Sequence, residues 1–199
     1  QMSAENYLKD TSEAIEIAKR IGHKVILIGF SLGGALTTAA SFDDDLSKDL
    51  HGVVLFAPAY VGTIRNNSMW FYAMSFLDEI NLDCNDYIND QKKYDCTKYS
   101  TNVFETSDGV EGGRIMSAVA EKDFSENKIP ALSFFDYDDD VLNSYETEKR
   151  LNKWGNKKSK IVIVDSGEKD VTQHFIVGFL NPELDEFYIK EINNWINSL

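Results

Sequence analysis

The apolar positions of this chain follow two alternating rhythms. From Ser3, placed to cap a helix, apolar or small residues recur three or four apart at Ala4, Leu8, Thr11, Ile15, Ala18 and Ile21, and Gly22 follows. One face of an α-helix repeats in that way. Lys24-Val25-Ile26-Leu27-Ile28-Gly29 is then apolar without alternation, as in a strand buried on both faces of a parallel sheet. Small residues from Gly33 to Ala40 suit a helix packed close to that sheet. Further buried runs are Gly52–Ala57, closed by Pro58, then Ala131–Asp136 after Ile129-Pro130, and Lys160–Asp165. A helical pattern around Tyr145 to Trp154 separates the last two. At the end of the chain Asn181 caps a helix with Pro182 at its first position, its inner face formed by Leu184, Tyr188, Ile192, Trp195 and Leu199. The alternation predicts an α/β fold, a parallel sheet flanked by helices.

Residues 61–128 break the rhythm. They carry Trp70-Phe71-Tyr72, Met69, Met74 and both cysteines, with no parallel-strand pattern. The expectation is a mostly helical cap inserted into a core of residues 1–60 and 129–199. Its aromatic stripe can form a small core of its own, line an apolar substrate pocket, or do both; Phe30, Trp70 and Phe71 are the candidate substrate contacts. Cys84 and Cys96 have 11 residues between them and no histidine nearby, so they do not suggest a metal site. Two readings stay open, free thiols or a disulfide that stabilises by about 2–3 kcal/mol. A disulfide would argue for an exported protein, periplasmic or secreted.

Charge and composition narrow the function classes. The chain has 199 residues, 43% of them hydrophobic and 27% charged, with a net charge of −13. Such a polyanion gains nothing from a phosphate backbone or an anionic bilayer, so nucleic acid is not an expected partner. No apolar run reaches the roughly 18 residues of a membrane span. Gln1–Asn6 lacks the charged and apolar regions of an export signal, so any such signal has been removed.

Gly29-Phe30-Ser31-Leu32-Gly33 matches G-x-S-x-G, with a buried strand directly before it and a helix after it. In a nucleophile elbow the glycines let the chain turn sharply while the serine holds a strained backbone. Ser31 is therefore the candidate nucleophile, and the Leu32 N–H the candidate oxyanion donor. A serine needs a base. His23 and His51 precede their strands and fall at the N-terminal edge of the sheet, whereas chemistry gathers at the carboxyl edge. His174 follows the fourth strand and is the candidate base. The order Ser, Asp, His points for the orienting acid to Asp136-Tyr137-Asp138-Asp139-Asp140-Val141. Most of these acids are expected to form a solvated turn.

In these segments the sequence resembles the α/β-hydrolase superfamily, nearest to the lysophospholipase and monoacylglycerol-lipase-like esterases. The resemblance covers the chain outside the insertion. It rests on Val25 to Gly34, Val53-Val54-Leu55-Phe56-Ala57-Pro58-Ala59, Ile129-Pro130-Ala131-Leu132, the acid turn and His174-Phe175. The family's acid turn runs glycine, two variable residues, aspartate, one variable residue and a β-branched residue. Laid on this chain, it puts Asp136 at the glycine place, Asp139 at the catalytic place and Val141 at the β-branched one. The aspartate at the glycine place is a departure, so a shift to Asp138 or Asp140 stays open.

The resemblance implies a serine hydrolase acting on a carboxylic, lipid-like ester through a Ser31, His174, Asp139 triad, without a metal or organic cofactor. Thioesterase, acyltransferase or peptidase chemistry would use the same groups, and a non-catalytic binding protein on this frame is the alternative of another class. The family places four strands before its elbow, about a hundred residues at roughly 30 per βαβ unit, where this chain has 30 residues before Ser31. That portion also supplies the second oxyanion N–H. A separate N-terminal polypeptide, or a missing segment of the same protein, is the expected partner, paired with the strand before Ser31.

Overall fold

The computed structural model describes residues 3–63, 79–81, 103–167, 173–178 and 181–199. Helix α1 (Ala4–Ile21) begins where Ser3 Oγ accepts the Asn6 N–H at 3.1 Å. It leads into β1 (Val25–Phe30), α2 (Leu32–Phe42) and β2 (Leu50–Phe56). Two short strands, β3 (Glu79–Asn81) and β4 (Val103–Glu105), form an antiparallel pair. They are followed by α3 (Thr106–Ala120), β5 (Ala131–Phe135), α4 (Ser144–Leu151), β6 (Lys160–Ile163) and α5 (Asp185–Ser198).

Strands β1, β2, β5 and β6 lie in that order in one parallel sheet. Because side chains alternate across a strand, the two central strands divide between two cores. Val53, Leu55, Ala131 and Phe135 face the layer of α1 to α4, with Ile15, Ala35, Ile115 and Trp154. Val54, Phe56, Leu132 and Phe134 face α5, meeting Tyr188 and Trp195. Phe134 is stacked on Phe56 at 4.9 Å and takes the edge of Tyr188 at 5.0 Å. Burial on both faces is why these strands read as unbroken apolar runs.

Several local expectations shift. β2 starts at Leu50, so His51 lies inside the strand rather than before it. Pro182–Leu184 forms a 3-10 turn ahead of α5, and the Asn181 side chain makes no capping hydrogen bond. Helix α3 falls within the expected cap, yet its Ile115 and Val119 are buried in the same core as α1 and α2. Packing therefore joins α3 to the sheet's helical layer. Trp70, Phe71, Cys84 and Cys96, with the disulfide question, lie outside the described residues.

β1 is an edge of the sheet. Among the described residues no strand pairs with its outer side, and Ile28 is 60% exposed, with Ile17 and Ile21 of α1 also open. No helix among the described residues is long and apolar enough to cross a membrane.

Phe134 is fully buried at the centre of the α5-side core. Phe134→Ala should lower the unfolding free energy by about 3–5 kcal/mol, measured from urea unfolding curves; a loss below 1 kcal/mol would place this ring outside the core.

Candidate active site

Three loops at the carboxyl ends of the strands carry the site. Ser31 stands between β1 and α2 with φ 54° and ψ −119°, a region that L residues rarely adopt and that costs on the order of 1–3 kcal/mol. Its neighbours hold it there. The Ser31 N–H donates to Phe56 O at 3.0 Å, and Ser31 O accepts from Gly34 N, Ala35 N and Ala59 N at 2.9, 3.2 and 3.0 Å. Ala57, at the end of β2, is itself at φ 40°. That second strained residue turns the chain so that Ala59 reaches the elbow.

The glycines divide unequally. A Cβ on Gly29 would lie 2.2 Å from Gly33 O, and one on Gly34 would lie 2.9 Å from Pro58 Cα. A Cβ on Gly33 meets no described atom within 4 Å, and Gly33 has no positive φ. Of the two glycines expected to let the chain turn sharply, only Gly29 is closely approached; Gly34, one residue beyond the motif, is the other such position.

Ser31 Oγ lies 2.9 Å from His174 Nε2, and His174 Nδ1 lies 2.8 Å from Asp139 Oδ2. A carboxylate only accepts, so Nδ1–H donates to Asp139 and the neutral ring is left with Nε2 to accept the Ser31 hydroxyl proton. Asp139 Oδ1 accepts the Val141 and Leu142 N–H groups at 2.9 and 2.8 Å. Both His174 and Asp139 are buried, and each oxygen of the acid is satisfied, as a buried carboxylate requires. The turn is braced from below, since Thr63 N donates to Val141 O and Asn143 N to Val61 O.

The other candidates separate clearly. Asp138 and Asp140 are exposed, whereas Asp136 is buried like Asp139. The expected solvated turn is therefore half interior. Phe30 packs on the His174 ring at 5.0 Å and on Phe175 at 5.8 Å, and also against the α5-side core. Leu32 opens α2, where the first N–H groups have no acceptor within the helix. His23 is exposed. His51 is at the opposite end of β2, its pKa lowered by burial and then by the charges of Lys24 and Lys158.

The chain matches no protein-family model and no curated protein. Solved structures do match. The monoacylglycerol lipase of Paleococcus ferrophilus superposes with a TM-score of 0.73 at 18% identity, over 99% of this chain and 76% of that one. The fold is that of the α/β-hydrolases. A soluble variant of monoglyceride lipase from Saccharomyces cerevisiae, bound to a substrate analogue, gives a TM-score of 0.75 at 10% identity, over 98% and 68% of the two chains. A structure of the metagenome-derived lipolytic enzymes LipS and LipT gives 0.77 at 16%, over 100% and 75%.

The two glycines give a differential prediction. Gly29→Ala should destabilise by about 3 kcal/mol or more through backbone overlap, whereas Gly33→Ala should be neutral or stabilise by up to about 1 kcal/mol. Urea midpoints of the two variants check this; equal effects would contradict the packing at the elbow.

Proposed function

We propose that this protein is a serine hydrolase that cleaves carboxylic esters with an acyl or lipid-like group. The observation that supports it is the unbroken chain of contacts from the buried Asp139 carboxylate through the His174 imidazole to the Ser31 hydroxyl. In this reading Ser31 Oγ forms a bond to the acyl carbon as its proton passes to His174 Nε2, and Asp139 stabilises the resulting imidazolium. The carbonyl oxygen becomes an oxyanion beside the Leu32 N–H, at the positive end of α2. Collapse expels the alkoxide, which takes the proton from His174 and leaves as the alcohol. Water, deprotonated by the same nitrogen, then attacks the Ser31 ester; the carboxylic acid is released as Ser31 Oγ takes the proton back from His174. Each step is complete without a metal or organic cofactor. Trp70 and Phe71 are proposed to contact the apolar part of the substrate.

The same reading extends to the sheet edge. An additional strand, from a separate N-terminal polypeptide or another segment of the same protein, pairs with β1 and brings the second oxyanion N–H. Support comes from the exposed Ile28 on an edge that no described strand pairs with, a surface that folded proteins normally cover. This chain also spans only 68% to 76% of the lipases and lipolytic enzymes that it superposes on.

Hydrolysis of a short-chain p-nitrophenyl ester by the intact protein tests the assignment. Ser31→Ala should reduce it to background and Asp139→Asn should lower kcat by about 10⁴-fold, with Asp138→Asn and Asp140→Asn near wild type. A Ser31→Ala variant of full activity would refute the reading.

A further inference from the structure

Asp136 occupies the place where the resemblance implies a glycine, and it is 4% exposed. Its carboxylate works between two loops. Oδ1 accepts the Asp138 N–H at 2.9 Å, inside the turn that carries Asp139. Oδ2 accepts both the N–H and the hydroxyl of Ser166, at 2.7 and 2.5 Å. Ser166 is itself 3% exposed and stands at the start of the loop that leads from β6 to His174. The Asp136 carbonyl is held as well, accepting the Ser144 hydroxyl at the head of α4.

The far side of the histidine loop is pinned separately. Ile176 N donates to His174 O at 2.9 Å, and Tyr188 of α5 donates its hydroxyl proton to Ile176 O at 2.7 Å. Burial, then the charges of Asp136 and Asp185, push the Tyr188 pKa up, which keeps the hydroxyl a donor. His174 is therefore suspended between two anchors. One is the hydrophobic core at Ile176, which is 0% exposed; the other is the Asp136 to Ser166 contact.

We propose that Asp136 is a positioning residue, a single carboxylate that ties the acid turn to the histidine loop and so sets the approach of His174 to Asp139 and Ser31. The inference rests on the reading of those three residues as the reacting set. The described donors that meet the Asp136 side chain are two backbone N–H groups and one hydroxyl, and an acceptor with two oxygens serves them. An asparagine has one, and whichever way it turns, an NH2 group faces a donor. The loops would then separate or rotate, and a displacement near 1 Å at the reacting atoms is enough to cost about 100-fold in rate.

The test follows the rate of fluorophosphonate labelling, and kcat and KM for a p-nitrophenyl ester, in the intact protein and in Asp136→Asn, Ser166→Ala and the double variant. Urea unfolding reports the folded fraction of each. Asp136→Asn is expected to lose about 100-fold in labelling rate and kcat with KM little changed. Ser166→Ala is expected to show a smaller loss in the same two quantities. The double variant should be no worse than Asp136→Asn, since both changes break one contact. Wild-type labelling rates in folded Asp136→Asn, or a fall in folded fraction alone, would overturn the proposal. If Asp136→Asn does not fold, Ser166→Ala decides by the same criterion. Failure of the wild type to label at Ser31 overturns the underlying hydrolase reading and this inference together, and that control is read without any change at Asp136.

Discussion

The left-handed backbone of Ser31 is the constraint on which the rest of the site depends. An L residue held at φ 54° is unfavourable by itself, and it persists only because the surrounding chain over-determines it. Strand β2 supplies the acceptor at Phe56 O, and the strained turn at Ala57 brings the Ala59 N–H beneath the serine carbonyl. The approach of Gly34 to Pro58 leaves no room for a side chain. The parallel pairing of β1 with β2 thus does more than build a sheet; it fixes where a hydroxyl projects over the carboxyl edge.

Once that hydroxyl is fixed, the other two loops must come to it; buried polar contacts secure both, and the core at Ile176 also holds the histidine loop. Asp139 is satisfied by two backbone N–H groups and one imidazole N–H. Asp136, three residues earlier, is satisfied by donors from its own turn and from the loop after β6. Two buried carboxylates so near each other would be costly if either lacked donors. The full set of donors is what makes the turn a rigid support.

Much of this was legible in the sequence because its causes are local. The strands announced themselves as unbroken apolar runs since β2 and β5 are buried on both faces, and the elbow was visible because a tight turn leaves its glycines in the chain. Strand polarity singled out His174 among the histidines, and the order Ser, Asp, His pointed to the acid turn. What was hidden depends on distant partners. Asp136 looked like one acid of a solvated turn because its partner, Ser166, lies 30 residues away. The need for Gly34 came from Pro58, just beyond the end of β2, and Gly33 carried none of it. Helix α3 read as part of an insertion because its contacts with α1 and α2 join segments far apart in sequence.

Ser31 Oγ, held against His174 and Asp139, is the atom proposed to take the acyl group. Peptide mapping by mass spectrometry of the intact protein, quenched during turnover of a p-nitrophenyl ester, tests it most directly. An acyl group on the peptide that contains Ser31, absent from the His174→Ala variant, is the predicted result. Turnover with the acyl group on another residue would contradict it.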